Sequence, residues 1–107
     1  MNARLKNTGG IYLITPDMAD TARLCTQVES LLRQPVALLQ YRNKTASGEL
    51  RRQQAKALRE LARQAGVPLI INDDWQLALD IGADGVHLGG EDAERPLLVR
   101  EIGDDRV

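Results

Sequence analysis

Apolar positions along the chain switch repeatedly between two spacings. Residues 11–15 (IYLIT) form a continuous apolar, β-branched run between Gly9-Gly10 and Pro16-Asp17, the pattern of a buried strand. Residues 20–33 then place Leu24/Cys25, Val28 and Leu31/Leu32 at helical spacing, with Asp20 or Thr21 available as a cap and Pro35 closing the segment. Residues 36–39 are again apolar and continue into Gln40-Tyr41-Arg42-Asn43-Lys44. A helix is predicted over 47–65. Ser47 is its N-cap, Glu49 complements the first-turn dipole, and Leu50, Leu58, Leu61 and Ala65 supply the buried face. Gly66 suits the residue after the last turn, and Pro68 forbids continuation. A third strand spans 69–71, a short helix 75–81 ends at Gly82, and a fourth strand spans 85–88. Residues 96–102 read as a last helix, broken by Gly103-Asp104-Asp105.

Apolar strands that alternate with helices, joined by connections too long for hairpins, require a parallel α/β sheet with right-handed crossovers. Two architectures satisfy this, a doubly wound sheet and a (β/α)8 TIM barrel. Four βα units are half a barrel, and a barrel normally needs at least about 200 residues. The expectation is therefore a fragment whose other half lies elsewhere; length alone also admits a compact four-stranded sheet.

In parallel α/β folds, ligands bind at the carboxyl ends of strands, and here those ends are polar. After the second strand, Gln40, Arg42 and Lys44 occupy alternate positions. If the strand persists, all three point to one face, with Leu38 below them. A planar arginine fork with a mobile lysine charge suits a phosphate or diphosphate. After the third strand comes Asn72-Asp73-Asp74, where one aspartate can cap the following helix. Three polar residues exceed what one cap requires. Asp73, with the more distant Asp92, could hold magnesium, which takes one or two carboxylates plus water and phosphate oxygens. Taken singly, each aspartate reads more simply as structural: Asp92 as a turn before the last helix, Asp84 and Glu91 as solvated. His87 lies within the fourth strand, with no second histidine, cysteine or serine at ligand or triad spacing. It reads as a pocket or core histidine, not a zinc ligand or general base. Gly89-Gly90 permits a tight turn or a close backbone approach, but no GxGxxG or P-loop is present.

Composition narrows the classes further. Fourteen basic and fifteen acidic residues leave a formal charge of −1, which gives no electrostatic reason to expect nucleic acid or a membrane surface as partner. Aromatics are confined to Tyr12, Tyr41 and Trp75, too few for a base-stacking surface. The lone Cys25 excludes an internal disulfide, fits a cytoplasmic protein, and falls on the apolar stripe of its helix as a core residue. No apolar stretch is long enough for a membrane span or a secretion signal.

Taken together and in order, the YLIT strand and the QYRNK, INDDWQLAL and ADGVHLGGED corners strongly resemble the thiamine-phosphate synthase (thiamine-phosphate pyrophosphorylase) family over residues 11–92. The resemblance implies a (β/α)8 TIM barrel about twice this length, so that residues 1–107 are expected to be a single partial domain, its N-terminal half. It also implies a transferase that joins 4-amino-2-methyl-5-(diphosphooxymethyl)pyrimidine to a thiazole phosphate and releases diphosphate. Carried over position by position, it implies that Gln40, Arg42, Lys44 and Asn72 contact the pyrimidine diphosphate. Asp73 and Asp92 become magnesium ligands, and His87 takes a role in the pocket. The family often has Gln where this chain has Gly90. The thiazole-phosphate contacts belong to the family's second half, so the 107 residues alone are expected to show little or no synthase activity. A homo-oligomer is compatible with these features. Two other readings compete: a thiazole tautomerase relative, which has no diphosphate to ionise, and a non-catalytic half-barrel that pairs through its open sheet edges.

Overall fold

The computed structural model describes residues 2–5, 11–87 and 97–98, with side chains for 11–87. Its elements in chain order are β1 (Asn2–Leu5), β2 (Ile11–Ile14), α1 (Thr21–Leu31), β3 (Val36–Tyr41), α2 (Gly48–Ala65), β4 (Leu69–Asn72), α3 (Trp75–Ile81), β5 (Gly85–His87) and β6 (Leu97–Leu98). The helix boundaries follow local chemistry. Asp20 accepts from the Arg23 N–H at 3.0 Å to start α1, and Ser47 Oγ accepts from the Leu50 N–H at 3.1 Å to start α2. Gly66 (φ 73°) and Gly82 (φ 71°) close α2 and α3 in the left-handed conformation, which costs glycine nothing.

The six strands form one sheet in the order β1-β2-β3-β4-β5-β6. The β2-β3, β3-β4 and β4-β5 pairs are parallel, as the alternation requires, whereas β1 and β6 pair antiparallel at the two ends. This corrects two expectations. Leu97–Leu98 is a strand against Gly85 and Val86, not part of a helix over 96–102, whose other positions lie outside the described residues. The outer edges of the parallel set are also hydrogen-bonded, not open. The physical reason is the same for both. An edge strand presents a row of unmet N–H and C=O groups, and a neighbouring extended segment satisfies them at little cost.

The period-two alternation of the strands sorts their side chains into two cores. Leu13, Leu39, Tyr41, Leu69, Ile71 and Val86 meet Leu24, Val28, Ala55, Leu58, Ala62, Leu77, Ala78 and Ile81 of the three helices. The opposite face gathers Tyr12, Ile14, Leu38 and Ile70. All three helices therefore cover one face of four sequentially ordered parallel strands. A doubly wound sheet would have helices on both faces and an order that reverses, so the arrangement is that of a barrel wall.

The buried stripe of α2 departs from expectation at several positions, one of them polar. Gln54, Ala55, Leu58 and Ala62 are buried, while Leu50 and Leu61 are half-buried and Ala65 is exposed. Gln54 is fully buried and organises a polar knot. Its Oε1 accepts from the Tyr41 hydroxyl (2.6 Å) and Asn43 Nδ2 (3.0 Å), and its Nε2 donates to the Met18 carbonyl (2.8 Å) and Thr21 Oγ1 (3.2 Å). Asn43 Nδ2 also donates to the Met18 carbonyl at 3.0 Å. Every polar atom of the Gln54 amide is thus engaged. Burial pushes the Tyr41 hydroxyl up to about 12, against 10.0 for an ordinary tyrosine.

Gln54→Ala strands the Tyr41 hydroxyl in the core and should cost about 2–4 kcal/mol, read by urea denaturation. A wild-type-like midpoint would show that water replaces the amide. Because the folded state holds the Tyr41 proton more tightly, this contribution is present below pH 10 and lost as pH rises through about 12. Tyrosinate absorbance should therefore show one tyrosine titrating near 12 in the folded protein.

Candidate functional site at the carboxyl ends of the strands

The corner after β3 is not a continued strand. β3 stops at Tyr41, so the alternation that would align Gln40, Arg42 and Lys44 is broken between them. The Arg42 N–H donates to Thr15 Oγ1 (2.9 Å), and the same hydroxyl contacts the Arg42 carbonyl (3.2 Å). Next, the Asn43 side chain turns inward to Gln54 and Met18. The Lys44 N–H then donates to Asp17 Oδ1 at 2.9 Å, and its side chain is left exposed. Gln40 is completely buried on the face away from the helices. Its Nε2 donates to the Tyr12 hydroxyl at 2.8 Å, and its Oε1 lies 3.0 Å from His87 Nδ1. With Oε1 as acceptor, His87 carries its proton on Nδ1. His87 is therefore half-buried and coupled to Gln40.

The corner after β4 divides its two aspartates between two tasks. Asp74 is the cap: its Oδ1 accepts from the Leu77 N–H at 3.0 Å to start α3. Asp73 is exposed and has φ 60°, the sole non-glycine with positive φ among the described residues. Its N–H donates to the His87 carbonyl at 2.6 Å, which extends the β4-β5 ladder by one bond and fixes the turn. An L-residue held in the left-handed region stores strain, and such positions concentrate at functional sites.

Lys44, Asn72 and Asp73 meet in one cleft of about 380 Å³, completed by Asn43 and Arg51. Gln40 and His87 do not line it; the register puts them beside Ile14/Ile70 and Asn72 respectively, on the sheet face that Asn72 shares. Arg42 is half-buried at the end of β3 but does not line the cleft. Asp92, Glu91, Gly89 and Gly90 lie outside the described residues. Among the described residues, no group of three or more His, Cys, Asp and Glu side chains converges as a metal cage. Arg51 is the member that sequence reading missed; its only signal was a position one turn into the helix that follows the QYRNK corner. Asp84, read as solvated, instead accepts from the Leu69 N–H at 2.9 Å at the opposite end of the sheet. There a second hollow of about 320 Å³ is lined by Arg59, Arg63 and Asp84, and Arg59 Nε donates to the Gly82 carbonyl at 3.2 Å. That is the end of a barrel associated with stability. Cys25 packs against the helix-side core, and burial, helped by Glu29, raises its thiol pKa, so it is not poised as a nucleophile.

These features define a parallel α/β protein of the barrel-wall type with a polar, cation-bearing cleft at the carboxyl ends of its strands. The profile of the thiamine monophosphate synthase family matches residues 11–107, and the chain belongs to that family. It is 54% identical over 94 residues to the thiamine-phosphate synthase of Xylella fastidiosa, covering 88% of this chain and 40% of that protein. It is 51% identical over 98 residues to that of Aromatoleum aromaticum, covering 92% and 47%. Among solved structures it resembles the thiamine phosphate pyrophosphorylase from Pyrococcus furiosus. The TM-score is 0.64 at 32% identity, over 76% of this chain and 39% of that one. The chain thus spans less than half the length of these relatives. No helix among the described residues is long and apolar enough to cross a membrane.

The two aspartates can be separated experimentally. Asp74→Ala removes the α3 cap and should cost about 1 kcal/mol in thermal or urea unfolding. Asp73→Gly relieves the positive φ and should cost nothing or gain up to about 1 kcal/mol. A larger loss for Asp73→Gly than for Asp74→Ala would mean that the Asp73 carboxylate holds the corner together.

Proposed function

We propose that this chain carries the pyrimidine-diphosphate half of a thiamine-phosphate synthase site and forms the N-terminal half of a (β/α)8 barrel. The observation that carries the reading is the cleft in which Lys44, Asn72 and Asp73 meet at the ends of β3 and β4. Family membership and the share of the relatives' length covered support it. A cytoplasmic location agrees with the single, half-buried cysteine.

Breaking the C–O bond of the diphosphooxymethyl group builds negative charge on diphosphate and positive charge on the pyrimidine methylene. The site must therefore bind anionic oxygens that strengthen as acceptors during the reaction. Lys44 supplies a mobile ammonium for them, and Arg42, at the same strand end but outside the cleft lining, a planar fork. Asn72 donates an amide beside them. Gln40 and His87, locked to each other and to Tyr12, offer a preset hydrogen-bonding edge for the aminopyrimidine ring. The thiazole nitrogen is the nucleophile, so no protein nucleophile or strong general base is needed.

Asp73 fits magnesium: an exposed carboxylate on the turn after β4, in a cleft that Lys44 also lines and that has room for a diphosphate. Asp92 would be its second carboxylate. Once bound, the ion would neutralise charge on the departing diphosphate.

In the complete gene product, formation of thiamine phosphate from the two substrates should require magnesium. Asp73→Ala and Lys44→Ala should each lower kcat/KM by about 100-fold or more with the fold intact by circular dichroism. Turnover by Asp73→Ala at the wild-type rate would remove the metal assignment. Absence of turnover by the wild type would remove the synthase reading.

A further inference from the structure

Arg51 is a cation of the cleft whose protein contacts do not account for it. It lies in the first turns of α2 and lines the cleft with Lys44, Asn72 and Asp73. Its Nη2 donates to the Ala46 carbonyl at 3.0 Å, which holds the side chain against the loop. Its ion pair with Asp74 is long, 3.5 Å between Nη1 and Oδ2, and both side chains are about 30% exposed, so it contributes little. Nε is buried and has no hydrogen-bond partner among the described residues. Desolvating a guanidinium N–H without a partner is unfavourable, and a purely structural arginine would be expected to have its donors met. The side chain is instead half-committed: Nη2 is fixed by one carbonyl, Nη1 holds only a long ion pair, and the side chain lines the polar cleft.

The chemistry of the lining agrees. Lys44 and Arg51 line the cleft beside the Asp73 carboxylate, with Asp74 paired to Arg51. Two cations of different shape beside a carboxylate suit a polyanion that also recruits a divalent ion. A compact ammonium and a planar fork then address different oxygens of it.

We propose that Arg51 is a diphosphate ligand, a third basic group beside Arg42 and Lys44. The assignment rests on the reading of the cleft as a diphosphate site. It adds a contact from α2, so the helix after β3 and not only the strand ends would grip the leaving group. Because the Ala46 carbonyl presets the fork, lysine cannot replace it fully.

Titration calorimetry of the complete gene product with inorganic diphosphate, with and without magnesium, tests this. Steady-state KM values for both substrates are measured alongside. Arg51→Ala should weaken diphosphate binding about ten- to hundred-fold and raise KM for the pyrimidine diphosphate to match, as for a lost charge-assisted bond. KM for the thiazole phosphate should stay unchanged. Arg51→Lys should recover only part of the loss. Arg52→Ala, on the solvent side of the same helix, should bind as the wild type does. Arg51→Gln, which keeps a donor for Ala46 without the charge, separates a folding defect from a lost contact: it should lose diphosphate affinity at an unchanged thermal midpoint. Wild-type affinity in Arg51→Gln, or equal rises in both KM values, overturns the assignment alone. Absence of diphosphate binding by the wild type overturns both the assignment and the cleft reading beneath it.

Discussion

The Gln54 amide is the constraint on which the site depends. A buried amide has two donors and an acceptor to satisfy, and every one of them is spent on a different piece of chain. Its acceptor draws in Tyr41 from the end of β3 and Asn43 from the corner beyond; its donors draw in Met18 and Thr21 from the connection into α1. The β3 strand ends at Tyr41 because the next side chains are diverted into this knot. On either side of the buried Asn43, Arg42 is left half-buried and Lys44 exposed. A hydrophobic residue at position 54 would pack the same volume but leave the corner without its anchor.

Much of the fold was legible in the sequence because local chemistry and global pattern agree. Asp20, Ser47, Gly66 and Gly82 punctuate helices whose apolar stripes face a common core, and the four apolar runs became the four parallel strands. The misses came where long-range pairing decides the outcome. Neither β1 nor β6 has a periodicity of its own; they exist because β2 and β5 have edges to be met. Gln54 sat in plain view between Leu50 and Leu58 on the apolar stripe of α2, a polar residue where the pattern called for leucine. That interruption was the available sign of a buried network.

The site was legible in part for a similar reason. Strand-end residues such as Asn72, Asp73 and Lys44 advertise themselves by breaking apolar runs, and the cleft brings these three together. Pattern could not assign Asp73 and Asp74 to separate tasks, because both are good caps; backbone geometry does, through the positive φ of Asp73 and the Leu77 contact of Asp74. Likewise the pairing of Gln40 with His87 joins positions 47 residues apart, which only the β3-β4-β5 register can bring together.

The antiparallel strands at the ends of the sheet have a consequence for assembly. A backbone edge can hold one neighbour at a time, and a closed eightfold barrel needs the outer edges of β2 and β5 for parallel partners. The pairing of β1 with β2 and of β6 with β5 is therefore mutually exclusive with closure. In a closed barrel those two antiparallel pairings would have to be given up, whereas the three parallel pairings and the helix-covered core would be kept.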